Sequence, residues 1–276
     1  MMRNAIALVA LIALATTSQA GKVKGTVDKL TRLDCGTVHV NNLNYFSDTQ
    51  SYTGQKRDFV ASCYLIQVGN AYMLWDTGLP AAAKDAPNDP AKPTSGTLRK
   101  TIVEQLAELG IKPDQIGLIG ISHNHGDHTG QAADFPKAKL VIGAGDLAAI
   151  RKNEAIGKPL ANWLGDGAKV EGIEGDKDLF QDGSVTMINL PGHTPGHHGL
   201  LVRLPKTGAV LLSGDVAHFH ENLDSDGVPA MNVSRADSLA AMDRFRKLAK
   251  SLKAVAIIQH DPRDVPKLPA FPAGAE

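Results

Sequence analysis

The chain reads as one α+β domain in which short apolar strands alternate with amphipathic helices. Three observations predict this. Runs such as Ile116-Gly117-Leu118-Ile119-Gly120-Ile121, Val185-Thr186-Met187-Ile188-Asn189-Leu190 and Ala254-Val255-Ala256-Ile257-Ile258 have strand length and strand composition, and turn residues bound them. Residues 235–252 carry Leu239, Met242, Phe245 and Leu248 at helical spacing. At 276 residues and 43% hydrophobic, the chain holds one substantial core, and no break in composition marks a second domain.

In order, Met1-Met2-Arg3-Asn4, an apolar run over 5–15 and Thr16-Thr17-Ser18-Gln19-Ala20 have the charged start, short core and small-residue exit of a secretory signal. Cleavage after Ala20 is expected, leaving residues 21–276 as a single domain exported to the periplasm or beyond. The apolar run is too short to span a bilayer comfortably, and no lipid-attachment cysteine follows, so stable membrane association is not expected. The 29 basic and 29 acidic side chains balance, which leaves no basic excess for nucleic acid. Cys35 and Cys63 both fall in the exported part. Adjacent strands would allow them to pair, but sequence does not supply the required geometry.

Residues 41–56, polar with Tyr45 and Phe46, read as a loop. Residues 65–68 and 72–75, joined by Gly69-Asn70, form an expected hairpin. Residues 81–95 read as a surface loop. A helix is expected over 95–110, with Leu98, Ile102, Leu106 and Leu109 on one face and Gly110 at its end. A strand at 140–142, a helix at 146–154 and a Gly/Pro-interrupted stretch around a core Trp163 follow. Strands over 185–190, 200–204 and 209–212 are expected to be mostly antiparallel. The last helix starts at Ser234, whose spacing to Asp237 resembles a capping box, and the proline-bearing tail is irregular.

Chemistry concentrates at strand ends. Ser122-His123-Asn124-His125-Gly126-Asp127-His128 directly follows the 116–121 strand. Imidazole nitrogen and carboxylate oxygen are ligands for zinc-like divalent ions, and His-x-His-x-Asp-His supplies enough for two adjacent ions. Each further candidate ends an apolar run: His193, Asp215 and His260. Asp76, after Leu74-Trp75, reads either as a turn residue or as a carboxylate that orients a ligating imidazole. His198 reads as a strand-edge residue and His220 as a polar loop residue.

The segments Leu74-Trp75-Asp76-Thr77-Gly78, Ser122 to His128, Pro191-Gly192-His193-Thr194-Pro195-Gly196-His197, Ser213-Gly214-Asp215 and Gln259-His260-Asp261 resemble, in order and spacing, the metallo-β-lactamase superfamily. Within it the chain is most similar to N-acyl-homoserine lactonases. The resemblance implies an αββα sandwich, two mixed β-sheets face to face with helices outside. It implies that His123, His125 and His193 hold one divalent ion, that Asp127, His128 and His260 hold another, and that Asp215 bridges them. Zinc is the default metal, and iron, cobalt or manganese fit the same ligands. His197 is implied to be supportive and not a ligand.

The implied reaction is the opening of an acyl lactone by water activated between two ions, a quorum-quenching activity on a small-molecule substrate. Asp127 is implied as a proton carrier to the leaving alkoxide. One departure stands out: lactonases commonly place a substrate-touching tyrosine three residues after the bridging aspartate, where this chain has His218. His218 would donate to a developing oxyanion. The alternatives are hydrolysis of a phosphotriester, phosphodiester, thioester or β-lactam, or a non-catalytic exported zinc-binding protein. β-Lactamases of this fold usually carry Cys or Ser at the Asp215 position, and flavin di-iron relatives an acidic residue at His125, which disfavours both. Oligomeric state and acyl-chain preference lie outside what the sequence specifies.

Overall fold

The computed structural model describes residues 25–276. The expected leader, residues 1–20, lies outside the described residues. The larger sheet comprises β1 (Lys29–Val40), β2 (Arg57–Val68), β3 (Ala71–Trp75), β4 (Thr94–Thr97), β5 (Ile116–Ile121), β6 (Lys139–Gly143) and β7 (Val170–Ile173), in the order β4-β1-β2-β3-β5-β6-β7. The smaller comprises β8 (Lys177–Asp178), β9 (Val185–Asn189), β10 (His198–Leu204), β11 (Gly208–Leu212) and β12 (Val255–Ile257), in the order β12-β11-β10-β9-β8. The helices are α1 (Ile102–Glu108), α2 (Gly126–Thr129), α3 (Ala144–Lys152), α4 (Glu154–Gly157), α5 (His220–Asp224) and α6 (Arg235–Leu252).

Period-two alternation explains why two sheets stack with helices outside. In β10 and β11, Leu200, Val202, Val210 and Leu212 join Tyr64, Met73 and Trp75 of the larger sheet in one buried cluster between the sheets. Their neighbours Leu201 and Leu211 point the other way, to a cluster with Met242 and Phe245 of α6. On the outer face of the larger sheet, Ile119, Ile121, Leu140 and Ile142 pack with Ile102 and Leu106 of α1. Strands covered on both faces need apolar residues throughout, so the runs are nearly continuous and not alternating. The αββα sandwich is the observed architecture. No helix among the described residues is long and apolar enough to cross a membrane.

Most expected elements are present, including the hairpin: β2 and β3 pair antiparallel through Gly69, at φ +60°, and Asn70. The helix expected over 95–110 is a correction. Residues 94–97 form β4, paired antiparallel with β1, and Leu98 bridges to Lys84. Thr101 starts α1 instead: its hydroxyl accepts from the Glu104 amide while the Glu104 carboxylate accepts from the Thr101 amide. This reciprocal cap satisfies two amides that would otherwise be orphaned, and nothing comparable exists at Ser95.

Cys35 and Cys63 form a disulfide across β1 and β2, with Cα atoms 5.8 Å apart. The bridge lies where the β1–β2 register shifts between Asp34 and Thr37. It also backs the segment after β3. Gly78, at φ +62°, packs so closely on Cys35 that a Cβ would lie 2.4 Å from the Cys35 Cβ, and the Leu79 amide donates to the Cys35 carbonyl. Closing a loop across a separation of 28 residues removes unfolded-state entropy worth about 3 kcal/mol. Replacing both cysteines by serine is therefore expected to lower the thermal midpoint by roughly 6–12 °C. Calorimetry with and without reductant checks this, and an unchanged midpoint would refute it.

Candidate metal centre

The site forms where strands of both sheets end. The backbone leaving β5 carries His123 and His125, and Asp127 and His128 follow in the single turn of α2. His193 follows β9, Asp215 follows β11 and His260 follows β12. Because β11 and β12 run parallel, and β9 is antiparallel to β10 as β10 is to β11, all three turns open at one end of the smaller sheet. The seven residues converge. His123, His125, His193 and Asp215 offer ligand atoms within 4.8 Å of one another, as do Asp127, His128 and His260.

Asp215 sits between the two groups and divides its oxygens. Oδ1 lies 3.2 Å from His128 Nε2 and 3.1 Å from His260 Nε2. Oδ2 lies 3.5 Å from His123 Nε2, 3.3 Å from His193 Nε2 and 3.0 Å from His218 Nε2. The Asp215 amide donates to His197 Nε2 at 2.8 Å, while His197 Nδ1 donates to the Leu190 carbonyl. His197 thereby anchors the aspartate's backbone, in agreement with a supportive role.

The tautomers show what the cluster is built to hold. His260 Nδ1 faces the Val60 carbonyl at 2.8 Å and His128 Nδ1 faces Asp76 Oδ2 at 2.9 Å. Both partners only accept, so in the neutral rings each Nδ1 carries the proton and each Nε2 presents a lone pair. Those two Nε2 atoms are 3.1 Å apart. In the other group His193 Nδ1 meets Asn232 Oδ1 at 2.7 Å, and its Nε2 lies 2.9 Å from His125 Nδ1. Buried His123 Nε2 and Asp215 Oδ1 have no hydrogen-bond partner. Converging lone pairs beside a buried carboxylate repel one another unless a cation lies between them, so the donor set fits two divalent ions.

Electrostatics agree. Burial opposes the ionisation of Asp215, but the surrounding imidazoles outweigh it and hold the carboxyl well below its ordinary range. Burial pushes His123 well below the ordinary imidazole range and His125 down to about 4. For His128 burial also opposes the charge, yet Asp215 and Asp76 overcome it and raise the group. The pocket seeks positive charge, and protons and metal compete for the same lone pairs.

Asp76 serves as both turn and orienter. It is fully buried at φ +57°, and its Oδ1 accepts from the Ser122 amide at 2.7 Å while Oδ2 holds His128 and the Gln259 amide group. Gln259 is a hub that its sequence context did not reveal. Its Oε1 accepts from Trp75 Nε1 and the Gly214 amide, tying the ends of β3, β11 and β12 together. Asn232, which orients His193, and Asp146, described below, were likewise not singled out. His220 starts α5 and pairs with buried Asp264 at 2.7 Å, away from the centre. His198 begins β10, and both of its ring nitrogens contact backbone carbonyls.

Above the centre opens a cavity of about 520 Å³. Val38, Phe46, Phe59, Leu79 and Met231 form its apolar walls, and His125, Asp127, His193, Asp215, His218 and His260 line its polar part. The 41–56 segment does contribute to the rim, through Tyr45 and Phe46. His218 is buried, stacked on His260 with rings 6° apart, and edge-on to Phe46.

Known proteins agree with this architecture. The sequence is similar to an N-acyl homoserine lactonase AttM from Azorhizobium caulinodans, 31% identical over 62% of this chain and 67% of that one. It is also similar to an N-acyl homoserine lactonase from a Bacillus species, 26% identical over 75% of this chain and 84% of that one. A solved quorum-quenching N-acyl homoserine lactone lactonase superposes with a TM-score of 0.77 at 24% identity, over 91% of this chain and all of that one, which shows a shared fold. Residues 57–260 match the metallo-beta-lactamase superfamily. With its five motifs in place on this fold, the chain belongs to the metallo-beta-lactamase superfamily.

Proposed function

We propose that this chain is an exported, metal-dependent hydrolase that opens the lactone ring of N-acyl-homoserine lactones. The observation that carries the reading is Asp215, whose two oxygens face two separate sets of imidazole lone pairs under an apolar pocket. The lactonase relatives support it. His123, His125 and His193 would hold one ion and Asp127, His128 and His260 the other, with Asp215 between them. When bound, such ions supply Lewis acidity, which lowers the pKa of water toward neutrality and polarises a carbonyl.

The chain's own groups do the rest. The apolar walls exclude bulk water and hold an acyl chain, and the volume suits a small ligand. Neither lysine nor arginine lines the pocket, which favours a neutral substrate over a phosphodiester or the carboxylate of a β-lactam. Asp127 is the partly exposed carboxylate of the set, with its Oδ2 3.7 Å from His260 Nε2. It is placed to take the proton that the attacking water gives up and to pass that proton to the leaving alkoxide oxygen. His218 Nε2 faces Asp215, and its Nδ1 is buried without a partner. It lines the pocket and would steady the aspartate there.

Proton release measured on an acyl-homoserine lactone, a β-lactam and a phosphotriester tests the assignment. Turnover is expected on the lactone, lost on chelation and restored by divalent metal. Faster turnover of the phosphotriester or the β-lactam would reassign the substrate, and no turnover by metal-replete protein would favour a binding role.

A further inference from the structure

Asp146 is a buried carboxylate to which the reaction above gives no part. It lies in the first turn of α3, fully shielded from solvent. Its Oδ2 accepts from the Thr194 hydroxyl at 2.7 Å and its Oδ1 from the Gly196 amide at 3.0 Å, and the Asn124 backbone also interacts with the carboxylate. Thr194 is the neighbour of His193, and Asn124 lies between His123 and His125. One carboxylate therefore touches both segments that supply the three-histidine set. Its partners lie 48 and 50 residues away in the chain.

Packing around it leaves no slack. A Cβ on Gly143 would fall 1.9 Å from the Gly196 carbonyl oxygen, and one on Gly196 would fall 2.5 Å from the Asp146 amide. A Cβ on Gly145 would fall 2.9 Å from the Pro195 Cβ. The β6–α3 junction and the His193 segment are thus in backbone contact, with Asp146 as the polar fastening between them. The other half of the centre has a different fastening: Asp76 holds His128, Ser122 and Gln259.

We propose that Asp146 is a positioning residue for one half of the centre, setting the spacing of His193 against His123 and His125, as Asp76 does for the half containing His128 and His260. The proposal rests on the two-ion reading of the centre. It gives the three-histidine set a buried carboxylate of its own outside the ligand set, so that mutation of Asp146 falls mainly on that set, while Ser122 Oγ, 3.0 Å from His123 Nδ1 and 3.1 Å from His128 Nδ1, joins the two halves. Removing an outer partner of this kind typically weakens metal binding by about 10–100-fold.

Titration of the metal-free full chain with cobalt and with zinc, followed by kinetics, tests this. Wild type is expected to bind two equivalents. Asp146→Ala should lose affinity for one equivalent by about 10–100-fold and keep the other. The cobalt spectrum should show that the lost equivalent is the imidazole-rich one, with kcat reduced more than KM. Asp146→Asn, which retains an acceptor for the Gly196 amide and offers Thr194 a donor, should recover most of the affinity. Thr194→Val removes one of the fastenings at constant volume, and should weaken the same equivalent even if Asp146→Ala does not fold. Two wild-type equivalents left unchanged in Thr194→Val and Asp146→Ala, or weakened equally at both positions, would overturn the role of Asp146 alone. A wild-type chain that binds no divalent metal would overturn the centre itself, and the role of Asp146 with it.

Discussion

Replacing Asp215 by alanine should reduce lactone turnover on the order of 10³-fold or more and strip the protein of bound metal. The reason is positional. Five imidazole Nε2 atoms, those of His123, His128, His193, His218 and His260, lie 3.0–3.5 Å from its two oxygens. Without the carboxylate, two ions would face one another across a buried gap with no shared anion to offset their repulsion. Asp215→Asn keeps an oxygen but loses the charge, so it should retain at most one ion and remain almost as slow. Elemental analysis and kcat on the same preparation check both variants. Full activity in Asp215→Ala would exclude a bridged centre.

Asp76→Ala should have the second largest effect, and it should fall on stability as well as on activity. The substitution leaves the buried Ser122 amide without an acceptor, and leaves His128 Nδ1–H with only Ser122 Oγ at 3.1 Å and the Gln259 side-chain amide with only the Ser62 carbonyl at 3.5 Å. An orphaned buried donor costs about 1–3 kcal/mol, so a loss of about that size is expected. Alanine also tolerates φ +57° poorly, whereas Asn tolerates it as Asp does. Asp76→Asn should therefore fold nearly as well as wild type. Its amide group, however, opposes donors on His128 and Gln259, so metal affinity should still fall about 10–100-fold. Chemical denaturation and metal titration of the two variants separate these effects. Equal stability of Asp76→Ala and wild type would contradict the hydrogen-bond pattern.

Much of the site was legible because of where its residues lie along the chain. His123, His193, Asp215 and His260 each follow an apolar run, and those runs proved to be β5, β9, β11 and β12, ending at one edge of the sandwich. Strand periodicity placed individual strands but not their division into two sheets, which only the family resemblance implied, and the 235–252 pattern placed α6 with its bounds. Interactions across long separations were not legible. Gln259 reaches Asp76 over 183 residues and Asn232 reaches His193 over 39, and neither residue type announces itself where the chain is locally polar. Asp146 read as an ordinary acidic residue in the first turn of a helix, since such residues are favoured there whatever they touch. The misplaced start of α1 has a related cause. Leu98 fits the helical stripe by spacing, but β1 offered residues 94–97 an open edge, and pairing with it outweighed local pattern. The disulfide was open from sequence, because Cys63 registers with Leu33 and reaches Cys35 only where the β1–β2 ladder is irregular between Asp34 and Thr37.

His218 stands three residues after Asp215, where the lactonases that the chain resembles commonly have a tyrosine. Its contact with Asp215 and its stacking on His260 make it part of the wall and of the centre at once. Tyr45, 44% exposed, stands at the pocket rim.

The most direct test of the two-ion centre is a crystal structure of the zinc-loaded chain, with anomalous scattering recorded at the zinc edge. Two peaks are expected, one between Asp215 Oδ2 and the imidazoles of His123, His125 and His193, the other between Asp215 Oδ1 and those of His128 and His260. No peak within ligand distance of Asp215, or peaks held by other residues, would contradict the account.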